Sequence, residues 1–98
     1  MTLRERPVVR EATLPDGRVV RVRVAVPDDA YVPRAQLDTV VLELEEDGRP
    51  LGVVHTVLSA SDRDEAFLLA ERVRAGLESG ALEATAQSVE PLALTPPA

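Results

Sequence analysis

The chain has 98 residues, 45% of them hydrophobic and 29% charged, with a formal net charge of −6. That length is one domain with a single core. With no cysteine and no Trp, one Phe and one Tyr, the core is aliphatic, and disulfides, thiolate nucleophiles and cysteine-based zinc or iron–sulfur sites are excluded.

Residues 1–6 are charged and expected to fray. VVREATL (8–14) reads as a short strand and LPDGR (14–18) as a turn. Pro15 presets φ, Asp16 follows, and Gly17 supplies the positive φ of a bulge. A three-residue loop of this kind sets Leu14 opposite Arg18. Counting back pairs Ala12 with Val20, Arg10 with Val22 and Val8 with Val24, and on the other face Glu11 with Arg21. The second strand, RVVRVRVAV (18–26), alternates valine with arginine and ends at Pro27. PDDAYVPRAQ (27–36) is a loop, because its two prolines forbid a central strand.

TVVLELEE (39–46) is the third strand, with Val40, Leu42 and Leu44 on one face and Val41, Glu43 and Glu45 on the other. EDGR (46–49) carries the Asp-Gly signature of a two-residue hairpin. LGVVHTVL (51–58) is the fourth strand. An uninterrupted ladder sets Leu51 opposite Leu44, Val53 opposite Leu42 and His55 opposite Val40. A single bulge would flip that register, so the face carrying His55 stays open.

Residues 59–80 read as a helix. Ser61 stands as N-cap with Asp64 three residues on, and Asp62 with Glu65 offers the same spacing. Ala66, Leu69, Ala70, Val73 and Leu77 form one apolar stripe, and Gly80 supplies the stop. Residues 81–90 fit either an edge strand or a second helix. The expected fold is therefore α+β: an antiparallel sheet of four strands, with room for a fifth. It is built from two hairpins, one face covered by a single C-terminal amphipathic helix. Residues 1–90 form the domain and 91–98 a flexible tail.

Charge is uneven along the chain. Residues 1–42 hold seven Arg against six acids, and 43–98 hold four Arg against eleven. All eleven basic residues are Arg, which with the wealth of Ala, Val, Leu, Gly and Pro suggests a high-GC bacterium. An acidic chain disfavours non-specific nucleic-acid binding, although Arg21 and Arg23 offer one local basic stripe. Glu11, Glu43 and Glu45 share their face and cancel much of that potential, and no strand carries an aromatic on which a base could stack. The face reads as solvated and ion-paired.

His55 is the only histidine. Acid–base work by His normally involves an orienting partner or nucleophile, and the nearby Thr56, Ser59 and Ser61 do not assemble one. A structural histidine is the simpler reading. The acidic stretches at 28–29, 45–48 and 62–65 lack the spacing of a calcium loop and read as turn and helix-start chemistry. Neither a catalytic residue, nor a metal site, nor a cofactor is expected. Tyr31, with Arg34 close by, is either an interface aromatic or a ring folded back over the sheet edge.

The run VLSASDRDEAFLLAERVRAGLES (57–79) resembles the strand-to-helix passage of HicB-type antitoxin domains: a strand, a short polar cap, then an amphipathic helix. The likeness covers about a quarter of the chain, and the Pro- and Gly-containing segment that precedes the passage in that family is missing here. It implies a regulator built on a small sheet-and-helix unit, and fold analogy alone does not fix function.

The expected function is a small non-catalytic protein-interaction or assembly module. Its surface would hold Tyr31, Arg34, Arg21, Arg23, Glu43 and Glu45, with a protein partner, self or other, and a homodimer in prospect. The alternatives are a nucleic-acid-associated or antitoxin-like regulator using the Arg-bearing face, and a small ligand-binder or enzyme using His55. No apolar run approaches a membrane span and the N-terminus carries no signal-like stretch, so a cytoplasmic location is expected.

Overall fold

The computed structural model describes residues 3, 6–26 and 40–95. Alternation of period two makes each strand amphipathic, and four such strands form one antiparallel sheet: β1 (Val8–Thr13), β2 (Val19–Ala25), β3 (Val41–Glu46) and β4 (Arg49–His55), in the order β1-β2-β3-β4. Two helices follow, α1 (Arg63–Ser79) and α2 (Ala86–Ala93). The fold is α+β.

The first hairpin has the register its turn dictates. Val8 pairs with Val24, Arg10 with Val22, Glu11 with Arg21 and Ala12 with Val20. The Leu14 N–H donates to the Arg18 carbonyl at 2.7 Å, the Gly17 N–H returns to the Leu14 carbonyl at 2.9 Å, and Gly17 sits at φ +92°. Between β2 and β3, Arg21 lies beside Glu45 and Arg23 beside Glu43.

The second hairpin departs from the unbulged ladder. Asp47 and Gly48 both have positive φ, +50° and +79°, as a two-residue primed turn requires. The register then shifts between Leu44 and Glu45: Glu45 pairs with Pro50, but Leu44 pairs with Gly52. Leu51 is the extra residue. Pro50 stands just before it, at a non-hydrogen-bonded position of an edge strand, where its missing N–H faces the open edge. Everything beyond changes face. Leu42 now pairs with Val54 and Val41 with His55, so Val54 turns to the core and His55 to the opposite side.

Helix α1 buries all five residues of its stripe, Ala66, Leu69, Ala70, Val73 and Leu77. Its N-cap is Asp62 rather than Ser61, and the Asp62 carboxylate does not cap the helix. It instead accepts from the Ser59 N–H at 2.8 Å, folding the entry segment backwards. Gly80 closes the helix at φ +82°. The guanidinium groups of Arg10 and Arg63 lie over the Phe67 ring at 4.9 and 4.8 Å, sealing α1 against the β1 edge.

One helix does not suffice for this sheet. Four strands spaced about 4.8 Å apart are roughly twice as wide as a helix about 10 Å across. Helix α1 packs on β1 and β2, and α2 packs on β4. The single covering helix expected from the sequence is thus two. The stretch left open between strand and helix is resolved as α2, capped by the Thr85 hydroxyl accepting from the Ser88 N–H at 3.2 Å. It runs through Pro91 to Ala93, which is buried with Val89, so the expected tail boundary at 91 falls inside a helix. Close approach of α2 depends on Gly52, where a Cβ would stand 2.9 Å from the Ala86 backbone nitrogen.

The core lies between the sheet and the two helices. Val20, Val22, Val24, Val40, Leu42 and Leu44 are its sheet side. Leu3 joins it and donates its N–H to the Ala60 carbonyl at 2.9 Å, which anchors a point in the segment expected to fray. No described helix is long and apolar enough to cross a membrane.

Candidate functional site

The strand registers lay out the sheet face opposite the helices in rows. One row holds Val9, Arg23, Glu43 and Val53; the next holds Glu11, Arg21, Glu45 and Pro50; a third holds Thr13 and Val19. Four of the six surface residues named from the sequence, Arg21, Arg23, Glu43 and Glu45, therefore sit together on two adjacent strands. Tyr31 and Arg34 lie outside the described residues.

Valine punctuates the charges. Val9, Val19 and Val53 are 39%, 47% and 54% exposed, while Val8, Val20 and Val54 beside them are buried. Isolated exposed valines are ordinary; three on one face, between paired charges, are a surface that a partner could dry. At the far end of the face Ala25 and Val41 are already buried, so the open part is the half nearer the turns. A depression there is lined by Glu11, Val19, Arg21, Glu45, Asp47 and Gly48.

The charges are largely matched within the chain. Arg23 Nη1 donates to Glu43 Oε2 at 3.2 Å. Arg18 reaches across from the first hairpin to the second, donating to both Glu46 oxygens at 2.6 and 3.2 Å. That hydrogen bond holds the Glu46 carboxyl below its ordinary value against the opposing effect of burial, and raises Arg18. On the helix side Arg10 and Arg74 both donate to Glu71. The Arg74 hydrogen bond is the larger cause of the lowered Glu71 carboxyl, with Arg10 adding to it and burial opposing.

Both sheet edges are blunted. The Leu14–Arg18 bond and the alternation of an antiparallel ladder turn Val9, Glu11 and Thr13 backbone groups outward. Glu78 Oε2 accepts from the Thr13 N–H at 3.3 Å, and Arg10 Nη1 donates to the Val9 carbonyl at 3.2 Å. The β4 edge carries Pro50 and the bulge. Charge, proline and bulges are how sheets discourage edge pairing.

His55 is exposed at the end of β4, paired across the ladder with Val41. It does not line the depression, and among the described residues it makes no hydrogen bond and joins no group of three side chains able to hold a metal ion. Thr56, next along, bonds its hydroxyl to the Val40 carbonyl at 2.8 Å, and Ser59 and Ser61 bond each other at 3.0 Å. These groups are occupied in ending β4 and starting α1.

Sequence reasoning missed Val53 as a surface residue, because its face follows from the bulge. The available signal was Pro50 within the strand. Compared with protein-family models, with curated proteins and with solved structures, the chain matches none.

Proposed function

We propose that the chain is a non-catalytic protein-interaction or assembly module working through the outer face of its sheet. The observation that carries this reading is the exposure of Val9, Val19 and Val53 among matched Arg–Glu neighbours on the face opposite both helices. Apolar contacts give such a surface its affinity when covered, and the charged rows give it orientation and selectivity. The pairing of Arg23 with Glu43 leaves little unbalanced positive charge for a phosphate backbone, and this supports a protein partner over a nucleic acid.

The test is site-specific photo-crosslinking in cells that naturally express the chain. A photoreactive residue in place of Val53 should give a protein adduct. The same residue in place of Arg72, exposed on α1, should give none. Labelling from position 72 alone, or from neither position, overturns the reading.

A further inference from the structure

Building on the outer face as an interaction surface, we propose that its partner is a second copy of this chain, packed face to face about a two-fold axis parallel to the strands between β2 and β3. The argument is one of charge pattern. Arginines occupy β2 and glutamates occupy β3, in the same two rows. A two-fold along the strands keeps each row level and exchanges the strands side for side. Strand β2 then lies over β3 of the other copy, and β1 over β4.

Where β2 lies over β3 the contacts are complementary, while at the margin Glu11 comes over Pro50 of the partner subunit. Arg23 comes over Glu43 of the partner subunit, and Arg21 over Glu45 of the partner subunit. Val9 meets Val53 of the partner subunit, joining two valines exposed at opposite margins of the face. The internal Arg23–Glu43 pair becomes part of an alternating four-charge cluster. The other face-to-face two-fold, across the strands, sets β2 on β2 and β3 on β3. Arginines then face arginines and glutamates face glutamates, an arrangement that like charges disfavour. An interface closed by a two-fold must be self-complementary, and of these two operations the first satisfies that condition.

The face is small. Four strands about 4.8 Å apart and about 20 Å long present less than the roughly 800 Å² per partner of a standard stable interface. The charges also remain partly wet. The dimer is accordingly concentration-dependent.

The test measures solution mass by light scattering across a concentration series, together with crosslinking. The wild-type mass should rise from 10.6 kDa toward twice that value. R21E/R23E and E43R/E45R, each folded by circular dichroism, should stay monomeric alone and dimerise when mixed. The chain has no cysteine, so Val9→Cys and Val53→Cys variants can be joined by a short bis-maleimide spanning the ~10 Å between packed sheets. The mixture should crosslink and neither variant alone should. A product from Val9→Cys alone indicates the other two-fold and overturns this one. A wild-type chain that stays monomeric overturns self-association. If position 53 still captures a different protein, the interaction reading survives it; if it captures nothing, both fall.

Discussion

Between Leu14 and Arg18 the chain turns in three residues, and the strands on either side keep step from Thr13 back to Val8. Between Glu46 and Arg49 it turns in two, and the strands lose step within two residues, at Leu51. Both turns use glycine at positive φ, the second with Asp47 beside it, and either turn type is compatible with an unbroken ladder. The difference is the extra residue Leu51, which follows Pro50. In the first hairpin proline stands inside the loop, at Pro15, where its fixed φ helps. In the second it stands inside the strand, paired with Glu45 immediately before the bulge, with the side that lacks an N–H turned to the open edge. A hairpin's turn determines its register only as far as the first bulge.

Gly52 is where breaking that comparison should cost most. The bulge aims it at α2, so Gly52→Val should drive a side chain into the Ala86 backbone and lower stability by about 2–3 kcal/mol. Urea denaturation would measure this; an unchanged midpoint would show that α2 does not depend on the bulge. Next come the turns themselves. Gly17 and Gly48 have open space for a Cβ but positive φ, so Gly17→Ala and Gly48→Ala should each cost about 1–2 kcal/mol. Near-equal losses would sharpen the conclusion that the turns are equivalent, and a several-fold disparity would break it.

The smallest effect concerns the bond between the hairpins. The Arg18–Glu46 pair is exposed at its arginine, and such pairs contribute modestly. The folded carboxyl lies below its ordinary value of 4.5. Its stabilisation is therefore complete above that value and disappears as pH falls through the depressed folded value. Glu46→Gln should melt slightly below wild type at neutral pH, and the two curves should converge in acid. A gap that persists in acid would assign the contribution to shape rather than charge.

Much of this was legible in the residues. The period-two valines, the turn at 14–18 and the α1 stripe are local patterns, and the structure follows them residue for residue. The facing of Arg21 and Arg23 toward Glu45 and Glu43 was legible too, once β2 and β3 were neighbours. The bulge was harder, because a proline in an edge strand is compatible with either a bulged or an unbulged ladder. Helix α2 was hardest. Eight residues with an internal proline are too short a run to separate a helix from an edge strand, and the need for them arises from the width of the sheet.

The close seat of Ala86 on Gly52 has a kinetic consequence. A single helix as short as α2 has no lasting stability in water, and its seat exists only after β4 has paired and bulged. Hairpins and α1 can form from local contacts first, with α2 settling on a finished surface. On that order of events Val89→Ala is expected to speed unfolding and leave the folding rate unchanged in stopped-flow kinetics, and a slowed folding rate would place α2 in the transition state. The C-terminal helix is a latch on the lifetime of the native state.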